Sequence, residues 1–269
     1  MRTIQEYLHD NNMGMALQVV WALKSWNRFK PFLRKVRGSA MTTWRDVPGW
    51  FNAMDLYDEV ALTTPPYTTV VEVGVAFGKS LLYLAQRIKE TGKDIRVMAV
   101  DPWLPYPEHH FLTVPPQADT PDSERFAYEY AARHGGIFPA FLHALYDSGL
   151  SDIVDVVRAP SVAASRMAGA PGARPVHFVF IDAYHVYEHV KADIDAWWAT
   201  GPEWIAGDDY NPGSEVDFPG VWKAVHEKFG AENVGQRQTT SWVVRRAHLG
   251  QTNRDQVLET VRAWKDRGR

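Results

Sequence analysis

At 269 residues and 45% hydrophobic, the chain is long enough for one large globular domain with additions. A formal net charge of -3 gives no general attraction to nucleic acid or to an anionic membrane, so no nucleic-acid partner is expected. With no cysteine, disulfides, thiolate metal ligands and cysteine nucleophiles are all excluded.

The first 60 residues read as helical and carry no strand pattern. Within them, Val19–Val36 mixes apolar and aromatic residues with Lys24, Arg28, Lys30, Arg34 and Lys35, and Pro31 interrupts the run. This fits an N-terminal helical arm, residues 1–60, that packs on the core or on a second subunit and so gives a homo-oligomer. A basic helix lying on a membrane surface is the other reading of the same pattern. The basic residues follow the apolar stretch rather than precede it, which is not the order of a secretory signal, and no apolar run approaches a membrane span. A cytoplasmic protein is expected.

From about residue 67, strand and helix patterns alternate, which predicts an α/β domain over 61–250 with a doubly wound, mostly parallel sheet. Strands are expected near 68–73, 95–101, 153–158, 176–182 and 203–208. Helices are expected near 79–91, 123–148, 160–168, 186–199 and 217–229. Two last strands, near 233–238 and 240–246, flank Gln238-Thr239-Thr240 closely enough to pair as an antiparallel hairpin, bringing the sheet to seven strands. A short C-terminal helix within 251–269 places Val257, Val261 and Trp264 on one face. The segment 102–121 has six prolines and no periodicity, and it contains Trp103, Tyr106, Glu108, His109 and His110. An irregular stretch of that length after a strand reads as a lid or substrate loop. Eleven tryptophans suit either core packing or a flat ring-bearing ligand.

The most informative stretch is Val70-Val-Glu72-Val-Gly74-Val-Ala-Phe-Gly78-Lys-Ser80, a β-branched run that ends at an acid, then a glycine turn, then a helix. Glycines there let the backbone approach a ligand without a Cβ in the way. The next strand ends at Asp101, where a carboxylate can accept hydrogen bonds from a ribose diol. The spacing is neither the G-x-G-x-x-G of a dinucleotide loop nor a phosphate-cradling G-x-x-x-x-G-K-S. An acid at Glu72 on the rim of the turn would repel pyrophosphate and suit a cationic ligand. The pattern resembles motif I of the class I S-adenosylmethionine-dependent methyltransferases, with Asp101 matching the ribose acid of motif II. That resemblance implies a Rossmann-like fold whose one antiparallel strand agrees with the terminal hairpin.

Two later strands end in polar residues: Val176–Ile181 followed by Asp182-Ala-Tyr184-His185, and Trp204–Gly207 followed by Asp208-Asp209-Tyr210. In a doubly wound sheet both tips lie on one rim beside Glu72 and Asp101. Three ionised carboxylates gathered in a crevice repel one another, and a divalent cation relieves that. An all-oxygen set of Asp182, Asp208 and Asp209 favours Mg²⁺, with Mn²⁺ next. Each aspartate alone reads equally well as a cap or turn former.

The run Asp182-Ala-Tyr-His185-x-Tyr187 with Gly207-Asp208-Asp209-Tyr210 resembles the metal-dependent small-molecule O-methyltransferases, above all the bacterial macrocin-type enzymes acting on antibiotic sugars. The resemblance covers roughly residues 67–229. It implies metal ligation by Asp182, Asp208 and Asp209, with His185 as general base. It also implies an S-adenosylmethionine site drawn from Glu72, Gly74, Gly78, Ser80, Asp101, Trp103, Ser161 and Asp182. Two departures stand out: Tyr184 replaces a second acid, and the acid that relatives carry just before Ser161 to hold adenine is absent. The function so implied is methyl transfer to a hydroxyl of a small molecule, either a natural-product sugar or another vicinal diol or catechol. Trp103, Tyr106, Tyr184 and Tyr210 are candidates to stack on the acceptor, and His109 and His110 are rivals of His185 for the base. A metal-independent methyltransferase and a non-catalytic S-adenosylmethionine-binding protein remain the alternatives.

Overall fold

A computed structural model of the chain describes residues 42–104 and 115–249. Most of the N-terminal arm, the stretch of 102–121 holding Tyr106, Glu108, His109 and His110, and the C-terminal helix lie outside the described residues. Chain order begins with a capped turn at Trp44–Asp46, closed by Thr43, and continues with α1 (Met54–Thr63), β1 (Thr69–Val73), α2 (Lys79–Glu90) and β2 (Arg96–Val100). Then come α3 (Asp122–His134), α4 (Ile137–Asp147), β3 (Val154–Val157), α5 (Ser161–Ala168), β4 (Val176–Ile181) and α6 (Tyr187–Trp198). β5 (Trp204–Gly207), α7 (Pro219–Phe229), β6 (Gly235–Arg237) and β7 (Ser241–Arg245) complete it.

The strands form one seven-stranded sheet in the order β3-β2-β1-β4-β5-β7-β6. Pairings among β1 to β5 are parallel, while β7 runs antiparallel to both β5 and β6. The strand expectations agree with these to within two residues at each end. One helix does not: the expected 123–148 is two helices, α3 and α4. Gly135 and Gly136 stand between them at φ 80° and 124°. Two successive left-handed residues cannot continue a right-handed helix, and glycine adopts them without a Cβ penalty.

Alternation along the strands sends side chains to both faces. Val70, Val97, Phe178 and Phe180 pack with α1 to α4, through residues such as Leu56, Leu84, Phe141 and Leu145. Val71, Val73, Val179, Ile181 and Ile205 pack with α5 to α7, through Ala164, Ile194, Trp197 and Val225. All five residues of β1 are buried, as a central parallel strand requires, and each fully buried valine contributes about 1.5–3 kcal/mol. The expected boundary at residue 60 falls inside α1, whose Leu56, Tyr57, Val60 and Ala61 belong to this core.

Candidate active site

In a sheet of this order the chain leaves β1 toward β2 on one side and reaches β4 on the other, and the loops at the strand ends diverge there to open a crevice. A cavity of about 640 Å³ occupies that place, lined by residues that follow each of β1 to β5. Gly74, Gly78, Ser80, Asp101, Trp103, Ser161, Asp182, His185, Asp208 and Asp209 all line it. Among the described residues expected in the site, Glu72 and Tyr210 do not.

Glu72 lies beneath the glycine turn, only 1% exposed, and both its carboxyl oxygens are taken. Tyr57 donates to Oε2 at 2.8 Å and Ser80 donates to Oε1 at 2.7 Å. Burial pushes its pKa up to about 8, against the opposing pull of the Ser80 and Tyr57 hydrogen bonds. An acidic rim is therefore not what the turn presents; a mostly neutral acid props the turn from below. The reason for Gly74 also differs from the expected one. A Cβ there would lie 1.7 Å from the Asp182 carbonyl oxygen, so glycine is required by the close approach of the β4 tip. At Gly78, φ 87°, a Cβ would meet the Phe141 ring at 2.7 Å.

Asp101 ends β2, 7% exposed, and burial raises its pKa against the hydrogen bonds it accepts. The Ala76 N–H donates to Oδ2 at 2.9 Å and the Trp103 N–H donates to Oδ1. The Val75 N–H adds a third backbone bond, and Asp101 lines the cavity. Trp103 folds back over the turn, its indole N–H donating to the Ala76 carbonyl at 2.8 Å and its ring stacking on Phe141 at 5.0 Å.

At the tips of β4 and β5, Asp182, His185 and Asp209 converge: one ligand atom from each lies within 4.8 Å of the other two. His185 Nε2 is 2.8 Å from Asp209 Oδ2 and 3.9 Å from Asp182 Oδ1. Burial raises Asp182 to about 6, and the charges of Asp209 and Asp208 push the same way. For His185 burial acts downward, but the Asp182 and Asp209 carboxylates outweigh it and carry the imidazole to about 10. The two carboxylates thus favour the imidazolium form of His185. Asp208 lines the cavity but is not part of this cluster. Its Oδ1 accepts from Thr240 at 2.6 Å and from Asn52 at 3.4 Å, and Asn52 in turn donates to Thr240 at 2.7 Å. Asp208 thereby ties the β5 tip to the β6–β7 turn and to the segment before α1.

At the tip of β3, Ser161 opens α5 and accepts from the Trp197 indole N–H at 2.9 Å. Tyr184 lines the cavity, whereas Tyr210 is turned into the core, its hydroxyl 2.6 Å from His226 Nε2. Six non-glycine residues have positive φ among the described residues, and four of them, Ala76, Trp103, Asp209 and Phe218, line this cavity. Backbone held in sparsely populated conformations gathers at functional sites.

Sequence reasoning missed Tyr57, Asn52 and Thr240, which hold their acids from distant parts of the chain. It also missed Trp50, Phe218 and Asp193 in the cavity wall. Of these, only Asp193 leaves a local signal: it interrupts the buried stripe Val190, Ile194, Trp197 of α6 with a charge.

Among solved structures the chain resembles CalS11, described as a calicheamicin methyltransferase, at 19% identity over 72% of this chain and 77% of that one, with a TM-score of 0.47. It resembles the O-methyltransferase TomG of Streptomyces achromogenes at 16% identity, over 72% and 78%, with a TM-score of 0.47. An O-methyltransferase of Bacillus cereus matches at 14% identity over 90% and 96%, with a TM-score of 0.46. No curated protein matches the chain. A family model described as a methyltransferase domain matches residues 71–210, from inside β1 to just past Asp209. That match spans just over half the chain, which therefore belongs to this family of methyltransferases, the S-adenosylmethionine-dependent class I enzymes whose sheet order it carries.

Proposed function

We propose that the protein transfers a methyl group from S-adenosylmethionine to a hydroxyl oxygen of a small molecule that carries two neighbouring oxygens, a sugar or other vicinal diol or a catechol. The observation that carries this reading is one continuous cavity joining Asp101 and the glycine turn to the Asp182–His185–Asp209 cluster. The reaction needs the acceptor oxygen in line with the sulfonium methyl: an O–CH₃ bond forms, the S–CH₃ bond breaks to a neutral thioether, and the hydroxyl proton must leave. Holding that geometry is worth up to about 7–11 kcal/mol of barrier.

In this reading Asp101 receives the ribose hydroxyls, and the Gly74–Gly78 backbone lies along the amino-acid end of the cofactor. Trp50 and Phe218, 64% and 42% exposed at the cavity wall, flank the acceptor with Tyr184. The donor set fits a divalent cation: Asp182 and Asp209 offer oxygens that suit Mg²⁺ or Mn²⁺. When bound, such an ion supplies orientation and polarisation of the acceptor oxygens. His185 gives up its proton once its two carboxylate partners are neutralised by another charge, and the neutral imidazole then accepts the acceptor proton. The 4.8 Å spacing favours a second reading, in which His185 is the third metal ligand.

A methyl-transfer assay on a panel of sugars, diols and catechols, run with Mg²⁺, with Mn²⁺ and with EDTA, tests the proposal. Expected is turnover on a vicinal-oxygen acceptor that EDTA abolishes and metal restores. Full turnover in EDTA overturns the metal and leaves a metal-independent methyltransferase; cofactor binding without turnover on any acceptor favours a non-catalytic protein. His185→Ala that keeps its metal but loses turnover supports the base, and loss of metal supports the ligand.

A further inference from the structure

One carboxylate in the cavity wall has no part in the chemistry above. Asp193 stands on the second turn of α6, 7% exposed, on the side of the helix that otherwise buries Val190, Ile194 and Trp197. It lines the cavity beside Ser161 at the tip of β3, away from the β4 and β5 tips where the reacting cluster lies. The Ser161 hydroxyl hydrogen-bonds to it and the charge of His189 acts on it, and among the described residues no lysine or arginine does. Burial raises its pKa to about 6, the sign of a carboxylate short of compensation. An acid buried with one hydroxyl and one histidine against it calls for further hydrogen-bond donors, and the cavity it lines is where they can come from.

The order of the strands says which part of the ligand arrives there. A sulfonium reacting near Asp182 and Asp209, at β4 and β5, with its ribose on Asp101 at β2, directs the base outward to the next tip, β3. That is where Ser161 and Asp193 stand. Adenine carries a neutral 6-amino group with two N–H donors, which complements a buried carboxylate acceptor. We propose that Asp193 accepts a hydrogen bond from the adenine 6-amino group and so sets the base specificity of the cofactor site. This rests on the S-adenosylmethionine reading above. Asp193 reaches the base from the helix after β4, and it does so in a chain whose position just before Ser161 is Pro160 rather than an acid.

A purely structural role is the competing account: Pro160 gives α5 no side-chain cap, and a carboxylate near its first turn would help it. Calorimetric titration of S-adenosylhomocysteine and of its analogue with hydrogen in place of the 6-amino group separates the two. Wild-type protein is expected to prefer the amino compound on the order of 100-fold, the worth of a hydrogen bond to a charged group. In Asp193→Ala that preference should shrink to within a few-fold, through weaker binding of the amino compound alone. Asp193→Asn, nearly isosteric and keeping one carbonyl acceptor, should retain part of it. A wild-type preference near one overturns the proposal without any variant, as does a variant in which both ligands weaken together or neither changes. Wild-type protein that binds neither ligand overturns the cofactor reading itself, and the proposal with it.

Discussion

Glu72 shows how far burial, helped by the Asp182 charge, can move a carboxylic acid that a sequence reading takes as charged. Its pKa of about 8 lies above the ordinary 4.5, so its contribution to stability is fully present below about pH 4.5 and is lost as pH rises through about 8. Glu72→Gln keeps the shape and removes the titration. Urea unfolding of the cofactor-free protein at pH 5 and pH 8 should show a shallower loss of stability in that variant than in wild type; an identical loss would assign the pH dependence elsewhere. His185 carries the second residue-scale prediction. Its imidazolium is sustained by Asp182 and Asp209, so Mn²⁺ binding near pH 8 should release about one proton. Calorimetry in buffers of different ionisation enthalpy reads that proton, and binding without release contradicts the account of His185. His185→Ala should lower turnover on the order of 10²–10⁴-fold, as loss of a positioned acid–base group does.

Elements were legible wherever apolar periodicity ran uninterrupted, and less so where a turn is written in backbone conformation alone. The apolar spacing of 123–148 reads straight through Gly135-Gly136, yet these two residues split it into α3 and α4. No atom lies within 4 Å of a Cβ built on Gly135, so the cost of a side chain there is backbone strain without a clash. Gly135→Ala should destabilise the fold by about 1–2 kcal/mol in chemical unfolding, and Gly135→Asn by less, since asparagine tolerates the left-handed region. Equal stability of all three would remove conformation as the reason for the break. Elsewhere elements are fixed by contacts remote in sequence. Asp208 reads as a metal ligand next to Asp209, but the Thr240 and Asn52 side chains, 32 and 156 residues away, claim its Oδ1. Thr240→Val removes both its bond to Asp208 and the one it accepts from Asn52, and should cost about 2–4 kcal/mol in urea unfolding.

At the scale of the whole molecule, the mostly parallel sheet, the terminal hairpin and the strand-end crevice followed from the alternation of patterns and from acids at strand tips. Asp101, Asp182 and Asp209 could be placed because a parallel sheet sends every strand end to one rim. Tyr57 beneath Glu72, Trp50 at the cavity wall and Asp193 on α6 could not, since each reaches the site from an element whose sequence gives no distance to it. The central claim is that this cavity binds S-adenosylmethionine with its ribose on Asp101. Calorimetric titration of S-adenosylhomocysteine into wild type and Asp101→Ala tests it most directly, with unfolding curves to establish that the variant is folded. The account predicts one site in wild type and affinity weakened about 10- to 100-fold in the variant, the loss of hydrogen bonds to a charged group. No binding to wild type, or the same affinity in both proteins, would contradict it.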